Sequence, residues 1–265
     1  MEGSEPRVLG YFDLLFLFLS SLAGIEEVFI RNHLSNGGKV AANFRDALLR
    51  TPVLLPSARL LRVSDAIMTL SAVCPSLQVM VLDIRQTSVT RSHWAFTPGV
   101  VRLEVTLVQE SWDNAALAED VSQVVRHTMP SIQYLALLAG GEYSAELGCL
   151  LTGLTSALIP RFSGLVHLQT LALAGLADLM LDFEEHFDYG LPGIFDDADA
   201  EARQRQRVEA ERRVKRAARQ AFPSLGRLWI GHDTLFDFTH LGPGNKLDEL
   251  DALQALKTGF RDTYL

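Results

Sequence analysis

Pro75-Ser76-Leu77-Gln78-Val79-Met80-Val81-Leu82 is the stretch on which the fold turns. Proline fixes the backbone and ends any helix before it. The apolar residues at 77, 80 and 82, with 79 and 81 between them, then alternate as a strand does. The same spacing, apolar-x-x-apolar-x-apolar, occurs seven times: IEEVFI from Ile25, ARLLRV from Ala58, LQVMVL from Leu77, VVRLEV from Val100, IQYLAL from Ile132, LQTLAL from Leu168 and LGRLWI from Leu225. Pro56, Pro75, Pro98, Pro130 and Pro223 each stand two residues before a motif. The starts are 33, 19, 23, 32, 36 and 57 residues apart.

Between these strands the periodicity is helical. Val40, Phe44, Ala47 and Leu48 make one stripe, and Leu117, Val121, Val124 and Val125 a second, with Asp113 or Asn114 as N-cap. Tyr143, Leu147, Leu150, Leu151, Leu154 and Leu158 make a third, opened by Ser144. The run from Val8 to Leu22 predicts a buried first helix with Leu14, Leu15, Phe18 and Leu22 on one face. Its 15 residues are short for a membrane span, Asp13 interrupts it, and Glu2 and Glu5 are wrong for a signal peptide. Strands alternating with helices predict a parallel sheet, and a repeat of ~20–30 residues predicts units that bury their faces on one another.

Residues 75–82 and 164–173 (Gly164-Leu165-Val166-His167-Leu168-Gln169-Thr170-Leu171-Ala172-Leu173) resemble leucine-rich repeats. With its uneven spacing and long inserts, the chain from about Leu14 to Ile230 is similar to the divergent repeats of fungal F-box/LRR-like proteins. The resemblance implies an α/β fold, an irregular leucine-rich-repeat-like solenoid with a parallel sheet of about seven strands and helices on the outer side. Residues 1–265 would form one repeat domain, with 247–265 as a C-terminal cap. Two features depart from the family. The Asn or Cys that follows the strand is replaced by His33, Ala66, Arg85, Val108, Gly140, Leu176 and Asp233. No F-box pattern follows either Leu-Pro pair, Leu55-Pro56 or Leu191-Pro192.

An ordinary doubly wound domain would cover both sheet faces and make its strands continuously apolar. Here the third and fifth motif positions include charges, which suits a sheet with one open face. The third positions are Glu27, Leu60, Val79, Arg102, Tyr134, Thr170 and Arg227; the fifth are Phe29, Arg62, Val81, Glu104, Ala136, Ala172 and Trp229. Stacked, they predict two adjacent rows on a concave face. Glu27, Phe29, Arg62, Arg102, Glu104, Tyr134, Arg227 and Trp229 are the partner-binding candidates, since aromatics and arginines dominate interface hot spots. Inserts folding over this face would instead bury it.

Residues 182–221 form a charged, partly helical insertion between the sixth and seventh strands. Eight acids and no Lys or Arg lie between Asp182 and Glu201; eight bases against two acids lie between Ala202 and Arg219. Ala, Arg, Gln and Glu without Gly or Pro predict a helix, supported by the i,i+4 pairs Glu201–Arg205, Glu209–Arg213 and Glu211–Lys215. Val208 and Val214 are its only large apolar residues before Phe222, so slight packing is expected. Arg203, Arg207, Arg212 and Arg216 mark a basic helix that either serves nucleic acid, anionic lipid or an acidic partner, or is solvated and partly neutralised by the acidic loop beside it. Asp182-Phe183-Glu184-Glu185-His186 lacks the two-histidine spacing of helical metal sites.

The composition, 48% hydrophobic and 21% charged, can bury a real core. The net charge of −8 opposes nucleic-acid binding. Cys74 and Cys149, 75 residues apart, suit neither a zinc cage nor a disulfide framework and are expected as small buried hydrophobes. With no Asn-x-Ser/Thr acceptor, this points to an intracellular compartment, cytoplasmic or nuclear. No nucleophile elbow, phosphate loop or His-Glu-x-x-His motif occurs. The leading expectation is therefore a non-catalytic scaffold for an unidentified protein partner, with no cofactor, metal or membrane span. Its alternatives are the substrate-recognition part of an SCF-type ubiquitin ligase receptor held by a Skp1-like adaptor, and an α/β hydrolase or transferase.

Overall fold

Every motif enters one sheet at its third residue in the computed structural model. The structure describes residues 10–22, 24–30, 37–51, 53–84, 97–107, 123–139, 159–160, 162–173, 197–230, 234–241, 249, 253 and 256–257. Strands β1 (Glu27–Ile30), β2 (Leu60–Ser64), β3 (Val79–Ile84), β4 (Arg102–Leu107), β5 (Tyr134–Ala139), β6 (Thr170–Leu173) and β7 (Arg227–Ile230) lie side by side in chain order, all parallel. β8 (Thr234–Asp237) and β9 (Leu256–Lys257) follow antiparallel. The fold is thus α/β with an open, mostly parallel sheet of nine strands. The two beyond the expected seven lack the motif: β8 has four residues and β9 two.

The register is the one that aligning the motifs dictates. Glu27, Leu60, Val79, Arg102, Tyr134, Thr170 and Arg227 are successive partners across the sheet, as are Phe29, Arg62, Val81, Glu104, Ala136, Ala172 and Trp229. The turn before each strand fixes this alignment. Ala58, Leu77, Val100, Ile132, Leu168 and Leu225 each donate a backbone N–H to the carbonyl three residues earlier, at 3.0–3.2 Å. In five of these six turns proline holds the second position, where its fixed φ is already right. The carbonyl of each second motif residue from Glu26 to Gln169 then accepts two N–H groups from the next motif, as Arg59 does from Gln78 and Val79, both at 2.9 Å. Each strand start is therefore tied to the one before it.

The described helices bury their apolar stripes against one sheet face. Val28, Leu61, Val63, Met80, Leu82, Leu103, Val105, Leu135, Leu171 and Leu228 meet Phe16, Phe44, Val125, Val214, Ala218 and Phe222 in one continuous core. Helix α2 (Gly37–Arg50) turns in Val40, Phe44 and Ala47, with Leu48 partly buried, as its periodicity predicts. Residues 123–128 are helical and bury Val125. Asp113, Asn114, Leu117, Val121, Cys149 and the stripe from Tyr143 to Leu158 lie outside the described residues, as does residues 182–196 of the insertion. Cys74 is buried as expected, and burial pushes its thiol up to about 11.

Helix α1 (Tyr11–Ser21) rotates differently from the expectation. Its buried residues are Asp13, Phe16 and Leu19, whereas Leu14, Phe18 and Leu22 are exposed. Phe12 and Phe16 pack edge-to-face on Phe44 at centroid distances of 5.2 and 5.0 Å. Asp13 fixes the rotation: its carboxylate accepts from Gly10 N (2.9 Å), Thr51 Oγ1 (3.1 Å) and Arg50 (3.3 Å). A helix apolar on all sides offers periodicity nothing to choose by, and here the one acid marks the buried side.

Helix α3 (Asp197–Ala221) occupies the basic half of the insertion, and its second half is not loosely packed. Val214 and Ala218 are buried one turn apart, with Phe222 just beyond the helix. Ala218 lets the helix approach the core closely, so two small apolar residues suffice to dock it. Lys215 is also buried, its ammonium donating to Leu253 O at 2.8 Å. Among residues 247–265, the expected cap, the described ones are Glu249, Leu253, Leu256 and Lys257.

Candidate interaction face

Opposite the described helices, the third and fifth rows form a face that is open at its N-terminal end and buried around Tyr134 and Trp229. At the N-terminal end Glu27 is exposed and Phe29 is 57% exposed. Leu60, Arg62, Val79, Val81, Arg102 and Glu104 are half-buried. Beyond them Tyr134, Ala136, Ala172 and Trp229 are buried and form a second cluster with Leu235. Arg227 is exposed again, on the far side of half-buried Thr170.

The expected open face is therefore only half open. Glu27, Phe29, Arg62, Arg102 and Glu104 come together on its accessible part. Tyr134 and Trp229 do not: Trp229 is fully buried and Tyr134 is 8% exposed. In row five Ala172 of β6 and Leu235 of β8 flank the indole, with Ala136 one strand further on.

The charges of the open half are arranged in layers. Arg62 reaches diagonally to Asp83 on the next strand, N to O 3.6 Å, and Arg102 donates from Nε to Glu104 Oε1 at 2.9 Å. In each pair the arginine side chain is the more exposed member, 34% against 10% and 32% against 17%. The acids thus lie beneath and the guanidinium groups above them. Arg62 Nε has no hydrogen-bond partner and its ion pair is longer than a hydrogen bond, so this arginine is loosely held. Asp83 was not legible as part of the face, because it stands at the seventh motif position, one pleat beyond the two rows.

Arg227 belongs to different surroundings. It lines an open groove of about 560 Å³ with Thr170, Arg219, Ser224, Phe238 and Thr239. Arg219 is committed there to the carbonyls of Pro223 (3.3 Å) and Leu225 (2.8 Å). Burial pushes the Asp237 carboxyl up, but hydrogen bonds from Thr239 and the charges of Arg227 and His240 hold it below its ordinary value.

On the basic helix, Arg212 is exposed and Arg216 half-buried, and Glu209 pairs with Arg212 (3.8 Å) and Arg213 (3.7 Å). Arg203 and Arg207 lie in α3, but their side chains, like that of Glu211, are outside the described residues. So is the whole of Asp182–His186. Among the described residues, no cluster of three His, Cys, Asp or Glu could hold a metal ion, and no helix is long and apolar enough to cross a membrane. Compared with protein-family models, curated proteins and solved structures, the chain matches none.

Proposed function

We propose that the chain is a protein-binding scaffold, a divergent leucine-rich-repeat-like solenoid that holds a partner on the open half of the sheet face opposite its described helices. The observation that carries this reading is the contrast in exposure from Glu27 and Phe29 to Tyr134, Ala136, Ala172 and Trp229. A sheet face that is buried over one part and open over another has room for a partner where it is open. The partner's chemistry follows from the layers: an apolar side chain to meet Phe29, Leu60, Val79 and Val81, beside a carboxylate for Arg62 and Arg102. Arg62, whose pair with Asp83 is longer than a hydrogen bond, can turn outward and bind a carboxylate with two N–H groups, while Arg102 adds its positive charge beside it.

The test is affinity capture with the wild type, Phe29→Ala and Arg62→Glu, followed by binding measurements with the captured protein once purified. Both substitutions should weaken the complex at least tenfold while thermal unfolding stays unchanged. Equal capture by all three would remove this face from consideration.

A further inference from the structure

The two ends of the sheet are finished differently. At the C-terminal end the chain doubles back as β8 and β9, which pair antiparallel. At the N-terminal end no described residue pairs with the outer side of β1. In the helical layer α1 packs on α2, and α2 on the 3-10 stretch Asp65–Val73, so α1 is the first member of that row.

The arc of α1 turned away from the core carries Tyr11, Leu14, Leu17 and Phe18, which are 78%, 53%, 49% and 59% exposed. Leu22, 40% exposed, continues it past the helix end. No charge lies on this arc, because Asp13, the helix's one ionised residue, is buried against Arg50 and Thr51. Terminal units of stacked arrays need a polar outer surface. Among the described residues, this end lacks one in its helical layer and has a strand edge without a partner in its sheet layer.

We infer that the N-terminal end is a homodimer interface: a second copy of this chain packs its α1 against α1 across a two-fold axis, with the two β1 edges approaching antiparallel. The same patch then serves on both sides, as two-fold interfaces require. A head-to-tail stack is closed off, because the other end is capped by antiparallel strands. In a two-fold antiparallel pairing of β1 centred on Val28, Glu27 faces Phe29 of the other copy, so like charges stay apart. At about 200 Å² for a large apolar side chain, the exposed parts of these residues amount to roughly 500 Å² per copy. Two copies reach the ~1,000 Å² that a specific interface needs, in the range of weak to moderate dimers. A lipid surface fits less well: interfacial helices carry Lys or Arg on their polar flank, whereas α1 has no base and Glu26 and Glu27 follow it. The dimer uses the end of the array and reaches the proposed partner face only at Phe29, so Arg62→Glu, on the next strand, reads partner binding apart from the dimer.

Sedimentation equilibrium of the full chain from about 1 to about 100 μM tests the inference. The mass should rise from 29.3 kDa towards twice that value. Leu14→Glu with Phe18→Glu should raise the dissociation constant roughly 30-fold or more, with the circular dichroism spectrum unchanged. Tyr11→Lys, at the most exposed position of the patch, gives the same comparison if the double variant does not fold. A chain that stays monomeric throughout, or a dimer indifferent to both variants, overturns the proposal. So does a monomer that sediments with phosphatidylcholine vesicles through Phe18, which would assign the patch to lipid.

Discussion

The guanidinium carbon of Arg102 rests 4.4 Å from the centroid of the Tyr134 ring, its direct partner across β4 and β5. This contact is the border between the two halves of the face opposite the described helices. On one side Val79, Val81 and Glu104 remain half open; on the other Ala136, Ala172 and Trp229 are sealed. Glu104 holds the same guanidinium from its own strand, so Arg102 lies along the ring as a lid for the buried cluster.

Arg102 and Tyr134 should therefore be energetically coupled. Tyr134→Ala empties a buried site and is expected to cost about 3 kcal/mol, whereas Arg102→Ala should cost about 1 kcal/mol. In a double-mutant cycle by urea unfolding, the coupling should be about 0.5–1 kcal/mol. Strict additivity would mean that the stacking contributes nothing.

Trp229 and Phe29 occupy equivalent fifth positions, yet their substitutions should behave oppositely. Trp229→Ala removes a fully buried indole and should destabilise by about 3–5 kcal/mol. Phe29→Ala, at an exposed edge position, should stay within about 0.5 kcal/mol and act on partner binding alone. Denaturant midpoints of the two variants decide this, and similar midpoints would contradict the gradient of burial.

Much of the fold was legible because one rule repeats. An apolar residue after a turn, proline-bearing in five of the seven motifs, leads into each parallel strand, and aligning the motifs yields the strand partners directly. What could not be read was any question of which side a residue faces when both sides are apolar. Helix α1 is one case, since Phe16 and Phe18 are alike in sequence and only contact with Phe44 separates them. The sealed half of the face is the other: alternation places Trp229 on it correctly, but its burial joins it to Tyr134, Ala136, Ala172 and Leu235, which local spacing does not connect. Lys215 fell in a run of bases and was grouped with solvated charge, although the turn from Val214 to Ala218 points the helix inward at that position.

The Asp13 cluster predicts an acid-sensitive attachment of α1. A backbone hydrogen bond from Gly10, with those from Thr51 and Arg50 and the charge of Arg50, outweighs burial and holds this carboxyl below its ordinary value. A depressed carboxyl contributes stability that is complete above its unfolded value, about 3.9, and is lost as pH falls through the lower folded value. The advantage of wild type over Asp13→Asn should thus be constant from pH 7 to about 5 and shrink below about 4. Unfolding of both proteins across that range checks it. A gap that widens with acid would reverse the assignment.

Lys215 provides a test of how α3 is docked. Its stem lies in the core beside Val214 and Ala218, its ammonium donates to Leu253 O at 2.8 Å, and it stands 5.7 Å from the Phe236 ring. The helix is otherwise rich in exposed charge, so this residue and its two small neighbours decide whether its second half stays attached. Burying an ammonium is costly unless its partners compensate, and an apolar residue of similar length often serves as well. Lys215→Met should therefore leave stability within about 1 kcal/mol. Lys215→Glu places a carboxylate against a carbonyl and an aromatic face, and should cost about 3 kcal/mol or more. Hydrogen exchange at residues 214–222 would then accelerate selectively, as the helix end detaches before the sheet opens. If Lys215→Met proved as damaging as Lys215→Glu, the ammonium–carbonyl contact, and not the packing of Val214 and Ala218, would be what holds the helix down.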